Sequence, residues 1–161
     1  MIYVVMGVSG CGKSSVGELL AQQLAIPFYD ADDYHPQSNV DKMSAGIALN
    51  DEDRWPWLQL LNEQMQSWQA SGGAVLACSA LKHDYRERLA GNLSGLVTFI
   101  YLKGGFEILL TRLQGRKGHF MKSDLLKSQL ATLEEPAQDQ AIIVDINQPL
   151  EVVVKQIIEE I

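Results

Sequence analysis

The sequence predicts a three-layer α/β fold in one domain of residues 1–161, a parallel sheet with helices on both faces. Two observations predict it. Apolar runs of strand length alternate with helical patterns along the chain, and the strand runs lack the polar alternation of a sheet with one wet face. A length of 161 residues suits one domain that closes a single core without disulfides or metal staples.

The elements follow in order. Ile2 to Met6 reads as the first buried strand, and a glycine-rich turn follows it. The next helix carries Val16, Leu19, Leu20 and Leu24 on one stripe. Phe28-Tyr29 is a short strand with a weak signal. Asp30 to Arg54 is rich in Asp, Asn, Gly and Pro, which predicts loop with short helical pieces. A helix opened by Pro56 then puts Trp57, Leu61, Met65 and Trp68 on one face. Ala74 to Cys78, Leu96 to Leu102 and Ala141 to Asp145 are further strands, and Leu150 to Ile161 is the closing helix. Between them, Arg112 to Phe120 is a basic segment holding Gly115 and Gly118, and glycine hinges with cations suit a movable lid.

Composition narrows the partners. The chain is 47% hydrophobic and 20% charged, ordinary for a globular protein. A net charge of −7 with scattered cations argues against nucleic acid, whose phosphates need a clustered basic surface. Anions can bind only where local cations and backbone N–H groups overcome that field. Cys11 and Cys78 have no Cys or His at metal-ligand spacing, so a reduced cytoplasmic setting is expected and a zinc site is not. The apolar N-terminal run has no basic leader and is too short for a signal peptide or a membrane span.

Gly7-Val8-Ser9-Gly10-Cys11-Gly12-Lys13-Ser14 is a complete G-x-x-x-x-G-K-[ST] motif between a strand and a helix. Its glycines allow the backbone to wrap closely and aim N–H groups at phosphate oxygens, over the positive end of the helix. Lys13 reaches the β- and γ-phosphates, and the Ser14 hydroxyl ligates magnesium. Ser15 completes the nucleotide contacts. Cys11 is a small filler in a tight turn, with a redox-sensitive thiol as the lesser reading. The loop alone does not specify a kinase, because switch GTPases and motor ATPases share it.

Asp30-Ala31-Asp32-Asp33 places carboxylates at the ligand edge of the sheet, beside the phosphates. One can orient magnesium waters and another take the acceptor's proton; an extended chain would put Asp30 and Asp32 on one side. Arg54 follows Asp51-Glu52-Asp53, acids suited to a helix start. It either pairs with them or holds a carboxylate in its planar fork. Lys82 either contacts the acceptor or simply begins the next helix. Arg112 and Arg116 share a helical face, suited to the charge on a transferring phosphoryl group or to a solvated basic helix end.

Six signatures in order carry a family resemblance: Gly7 to Ser14; Asp30 to Pro36 with Asn39, Lys42 and Met43; Asp51 to Leu58; Cys78 to Lys82 with Tyr85-Arg86; Gly118-His119-Phe120-Met121; and Leu133-Glu134-Glu135-Pro136. The chain resembles the gluconokinases, within the P-loop kinases related to shikimate kinase. The resemblance implies ATP- and magnesium-dependent transfer to the 6-hydroxyl of gluconate, on a five-stranded parallel sheet with a mobile lid over about 112–121, in a homodimer. It implies Asp30 as the magnesium-side acid, Asp32 as the acceptor-side base, Arg54 and Lys82 as acceptor ligands, and Arg112 and Arg116 as lid cations. Gln148 falls where related kinases line the adenine. His35 and His119 belong to family motifs and are grouped with the acceptor, without a chemical role. The chain has Ala31 and Ala48 where the family often has Gly and Pro. The alternatives are a shikimate-kinase-like or other small-metabolite kinase, and a non-catalytic nucleotide-binding regulator; the acid pair and both lid arginines speak for catalysis.

Overall fold

In the computed structural model, the unbroken apolar run Ile2–Met6 (β1) becomes the middle strand of a five-stranded sheet. The structure describes residues 1–93, 95–114 and 122–161. The chain continues through α1 (Lys13–Leu24), β2 (Phe28–Asp30), a 3-10 turn (Ala31–Tyr34), α2 (Gln37–Ser44), α3 (Asp51–Ala70), β3 (Ala74–Ala77) and α4 (His83–Ala90). It ends with β4 (Val97–Lys103), α5 (Phe106–Gln114), α6 (Lys122–Thr132), β5 (Ala141–Asp145) and α7 (Leu150–Glu160). The strand order is β2-β3-β1-β4-β5 and every pairing is parallel, with Ile2 opposite Ala74 on one side and Val97 on the other.

The side-chain period of two explains the layers. Val5, Val75, Ile100 and Val144 pack with α1, α5, α6 and α7, through Leu20, Leu109, Leu126 and Val154 among others. Ile2, Val4, Met6 and Leu76 face the other way, against Trp57, Leu61 and Met65 of α3 and Leu89 of α4. Neighbouring Val4 and Val5 are thus both fully buried, on opposite faces. Gly73, at φ +101°, lets β3 start beside β1: a Cβ there would fall on the Met1 carbonyl oxygen.

The strands match the sequence reading to within a residue at each end, and the short strand at Phe28 is the sheet edge. One boundary differs. The third helix starts at Asp51, and Pro56 lies inside it rather than opening it. A capping box sets the true start: Asp53 N–H donates to Asn50 Oδ1 at 2.8 Å, and Asn50 N–H donates to Asp53 Oδ2 at 3.0 Å. Three acids in the first turn add favourable interaction with the helix dipole, and these offset the hydrogen bond that Pro56 cannot make. Asn50→Ala is therefore expected to lower unfolding free energy by about 1 kcal/mol. Urea denaturation checks this; an unchanged midpoint would mean the cap contributes nothing.

Among the described residues no helix is long and apolar enough to cross a membrane. The strands run in one direction, so their C-terminal ends gather at one edge: Met6, Asp30, Ala77, Lys103 and Asp145. Loops leaving such an edge form the usual ligand crevice.

Candidate active site

The loop from Gly7 to Gly12 leaves β1 at that edge and turns directly into α1. Gly12 makes the turn possible: it caps α1 at φ +92°, where a side chain would be strained. Gly7 N–H donates to Ser79 O at 3.3 Å, tying the loop to the segment after β3. The Lys13 ammonium folds over the loop, donating to the carbonyls of Gly7 at 3.0 Å and Val8 at 3.2 Å. Ser14 and Ser15 are exposed on the first turn of α1. Burial raises the Cys11 thiol above its ordinary value, and nearby Lys13 only partly opposes this. Cys11 is therefore a packing residue, not a reactive thiol.

A cleft of about 290 Å³ opens above this loop, lined by Ser9, Lys13, Ser14, Asp30, Asp32 and Gln129 among others. It is lined by two of the three acids of the first cluster, Asp30 and Asp32, although the chain there is not extended. Asp30 ends β2 and its Oδ1 accepts from Asp32 N–H at 3.0 Å, capping the 3-10 turn that carries Asp32. Burial pushes the Asp30 carboxyl up, and repulsion from Asp32 and Asp33 adds to it. Asp32 is held below the usual carboxylate range, first by His35 and also by Lys13. Two neighbouring carboxylates are thus set apart in basicity, an arrangement that suits different tasks.

His35 is not on the cleft surface. Its side chain is 4% exposed and its ring stacks on Trp57 at 4.2 Å. Nδ1 lies 3.3 Å from the Nδ2 of buried Asn39, which also donates to Asp53 O at 2.9 Å. With Asn39 as the donor, the ring proton sits on Nε2, which faces Asp32 Oδ1 at 3.7 Å. His35 thus stands behind Asp32 rather than lining the acceptor pocket.

A second pocket, of about 340 Å³, lies on the far side of the loop, lined by Gly10, Gly12, Arg112, Ile146 and Gln148. Gln148 is fixed there by donating to Asp145 O at 2.7 Å and by a reciprocal pair with Gln156. Arg112, in the last turn of α5, donates to Ile146 O at 2.7 Å and Cys11 O at 3.4 Å. It is built into the wall of this pocket. Arg116 and His119 lie outside the described residues, as does most of the segment expected to form a lid.

A third, wider pocket of about 620 Å³ is lined by Asn50, Asp51, Arg54, Lys82, Tyr85, Ser128 and Thr132 among others. Arg54 does not pair with the acids beside it; the partners there are Lys42 for Asp53 at 2.9 Å and Lys82 for Asp51 at 3.4 Å. Arg54 Nη1 donates to Leu49 O at 2.7 Å, and its guanidinium lies 5.4 Å from the Tyr85 ring centroid. Asp51 also accepts from the Tyr85 hydroxyl, and that bond leads the causes holding its carboxyl below the usual range. Lys82 begins α4 as its N-cap residue, and it also lines this pocket. The pocket combines two cations, Arg54 and Lys82, with two carboxylates, Asp51 and Glu52, and the Tyr85 phenol, a lining that can meet both the charge and the hydroxyls of an anionic polyol. It adjoins the phosphate cleft: Ser79 and Gln129 line one, Lys82 and Ser128 the other.

Sequence reasoning missed Gln129, Asp51 and Tyr85 as lining residues. Asp51 and Tyr85 sat inside quoted motifs, but only the fold brings them together across 34 residues.

Comparison with known proteins shows the family. Residues 9–161 match the family model described as shikimate kinase. The chain is 48% identical to the thermoresistant gluconokinase of Escherichia coli K12, over 99% of this chain and 93% of that protein. It is 48% identical to a probable gluconokinase of Xenopus tropicalis, over 100% of this chain and 93% of that protein. The crystal structure of a gluconokinase from Sinorhizobium meliloti 1021 superposes with a TM-score of 0.85 at 45% identity, covering 96% of this chain and 87% of that one.

Proposed function

The chain belongs to the gluconokinase family, within the kinases grouped with shikimate kinase, and from that premise we propose that it transfers the γ-phosphoryl group of ATP to the terminal hydroxyl of D-gluconate, giving 6-phospho-D-gluconate. The observation that carries the reading is the placing of Lys13, Asp30 and Asp32 in one cleft beside a pocket walled by Arg54 and Lys82.

The residues fit the groups this reaction needs. Gly7, Val8, Ser9, Gly10, Cys11, Gly12 and Ser15 supply the cradle for the phosphates, on the positive end of α1. Lys13 is drawn from the loop carbonyls to the β- and γ-phosphates. The Ser14 hydroxyl and Asp30 would hold magnesium, which would neutralise phosphate charge when bound; two protein ligands suffice for an ion that keeps several waters. Gln148 and Arg112 form the adenine side. Arg54 and Lys82 hold the gluconate carboxylate, and Asp51 and Tyr85 meet its hydroxyls. Asp32 orients the acceptor hydroxyl and takes its proton as the oxygen bonds to phosphorus. Arg116 and His119 are lid contacts on the strength of the resemblance. A cytoplasmic homodimer acting on small molecules, away from membranes and nucleic acid, is the proposed setting.

The pure protein with ATP and magnesium should convert gluconate to 6-phosphogluconate, read by coupled oxidation of that product. Shikimate and a nucleoside monophosphate serve as competing acceptors. Turnover of either of those with none of gluconate would refute the acceptor assignment. Nucleotide binding with no turnover of any acceptor would favour a regulatory protein.

A further inference from the structure

Gln129 belongs to α6, far from the phosphate loop in sequence, yet its Oε1 accepts from Ser9 N–H at 2.6 Å. That contact spans 120 positions and is the shortest bond the described part of the loop makes with a side chain. Ser9 N–H is one of the cradle donors, so a phosphate oxygen and Gln129 Oε1 suit the same proton. We infer that Gln129 is a nucleotide-binding residue that answers to the terminal phosphates: it accepts from Ser9 N–H as seen here and, with a triphosphate in the cradle, turns its carboxamide to donate from Nε2 to a phosphate oxygen.

The chemistry of the side chain permits both roles. A carboxamide carries an acceptor and two donors on one planar group, and the terminal torsion of Gln is broad and close to two-fold. Exchanging its ends therefore needs little movement of the helix. Its reach is fixed from below, because Leu126, one turn earlier on α6, is fully buried in the core. The same helix presents Ser128 and Thr132 to the acceptor pocket, so Gln129 sits where nucleotide and acceptor meet. A neutral donor also suits the cleft, where Lys13 already supplies a cation against two carboxylates. Glutamate at 129 would hold Ser9 N–H equally well but could neither donate nor tolerate a triphosphate.

The inference rests on the proposed use of ATP but not on the acceptor, so its test omits gluconate. Calorimetry would measure binding of a non-hydrolysable ATP analogue with magnesium, and of AMP, to wild type, Gln129→Met and Gln129→Glu. Losing a hydrogen bond to a charged group should weaken the ATP analogue about tenfold in Gln129→Met and more in Gln129→Glu. AMP, which lacks both terminal phosphates, should bind all three within about twofold. Equal losses for both nucleotides would mark a merely structural contact and overturn the inference. So would unchanged or tighter binding of the ATP analogue by Gln129→Met, the outcome if the side chain only competes with phosphate. Thermal unfolding of each variant guards against misfolding, and either variant alone decides between phosphate-selective and general loss.

Discussion

Lys13→Met is expected to slow phosphoryl transfer by about a thousandfold, while unfolding free energy moves by no more than about 1 kcal/mol. The lining of the phosphate cleft explains the first figure. Among the described residues, Lys13 is the one cation facing that cleft, and Asp30 and Asp32 face it too. Without Lys13 the lining would be two carboxylates and the loop dipoles, set against the most highly charged part of the nucleotide. A thousandfold rate loss corresponds to about 4 kcal/mol of transition-state stabilisation, within reach of one well-placed charge in a shielded site. The stability figure follows from what the ammonium touches. Its bonds to the Gly7 and Val8 carbonyls, at 3.0 and 3.2 Å, are made at a part-buried position where water can replace them. Methionine keeps the length of the stem and its packing. Steady-state kinetics beside urea denaturation separates the two effects; proportional losses in both would contradict a catalytic lysine.

Much of this site was legible in the chain because its chemistry comes from short segments leaving one edge of the sheet. Strand–glycines–lysine names the phosphate cradle wherever it occurs, and a parallel sheet buried on both faces leaves apolar runs such as Tyr3-Val4-Val5 in plain view. What escaped notice depends on contacts between distant segments. Proline is favoured in the first turn of helices, so Pro56 drew the expected start of α3 forward; Asn50 and Asp53, three apart, were the signal that located it. Arg112 and Arg116 looked equivalent by spacing, but no periodicity could show that Ile146 and Cys11 offer carbonyls to the first. Arg54 stood beside three acids, and only the fold shows Lys42 and Lys82 taking two of them. His35 carried no readable role, because its partners Trp57, Asn39 and Asp32 converge on it through a turn and two helices. Gln129 had no local signal at all. A polar residue on a partly exposed helix is ordinary, and its meaning lies in one backbone N–H at the other end of the chain.

Asp32→Asn should separate the tasks of the two cleft carboxylates, lowering kcat by roughly a thousandfold without raising the magnesium needed for half-maximal rate. Asparagine preserves the shape of the side chain and an oxygen that can face His35 Nε2, but it cannot accept the acceptor's proton. The loss should therefore fall on kcat rather than on the KM for ATP. The neighbouring acid supplies the second half of the argument. After burial, repulsion from Asp32 is the next influence that raises the Asp30 carboxyl. Removing that charge favours the ionised form of Asp30, the form that holds a divalent cation, so metal binding should be kept or improved. If Asp32 were instead the metal-side acid, the same substitution would raise the magnesium requirement and spare the rate at saturating metal. An unchanged kcat would dismiss Asp32 as the base while leaving the family assignment in place. Fold stability gives a third reading: His35 and Lys13 hold the Asp32 carboxyl below its usual range, so its charge favours the fold at neutral pH and the variant should be slightly less stable there, a difference that fades as pH falls through the carboxylate range. A large loss of stability would mean that His35 and Asp32 matter to the turn itself, beyond the chemistry proposed for it.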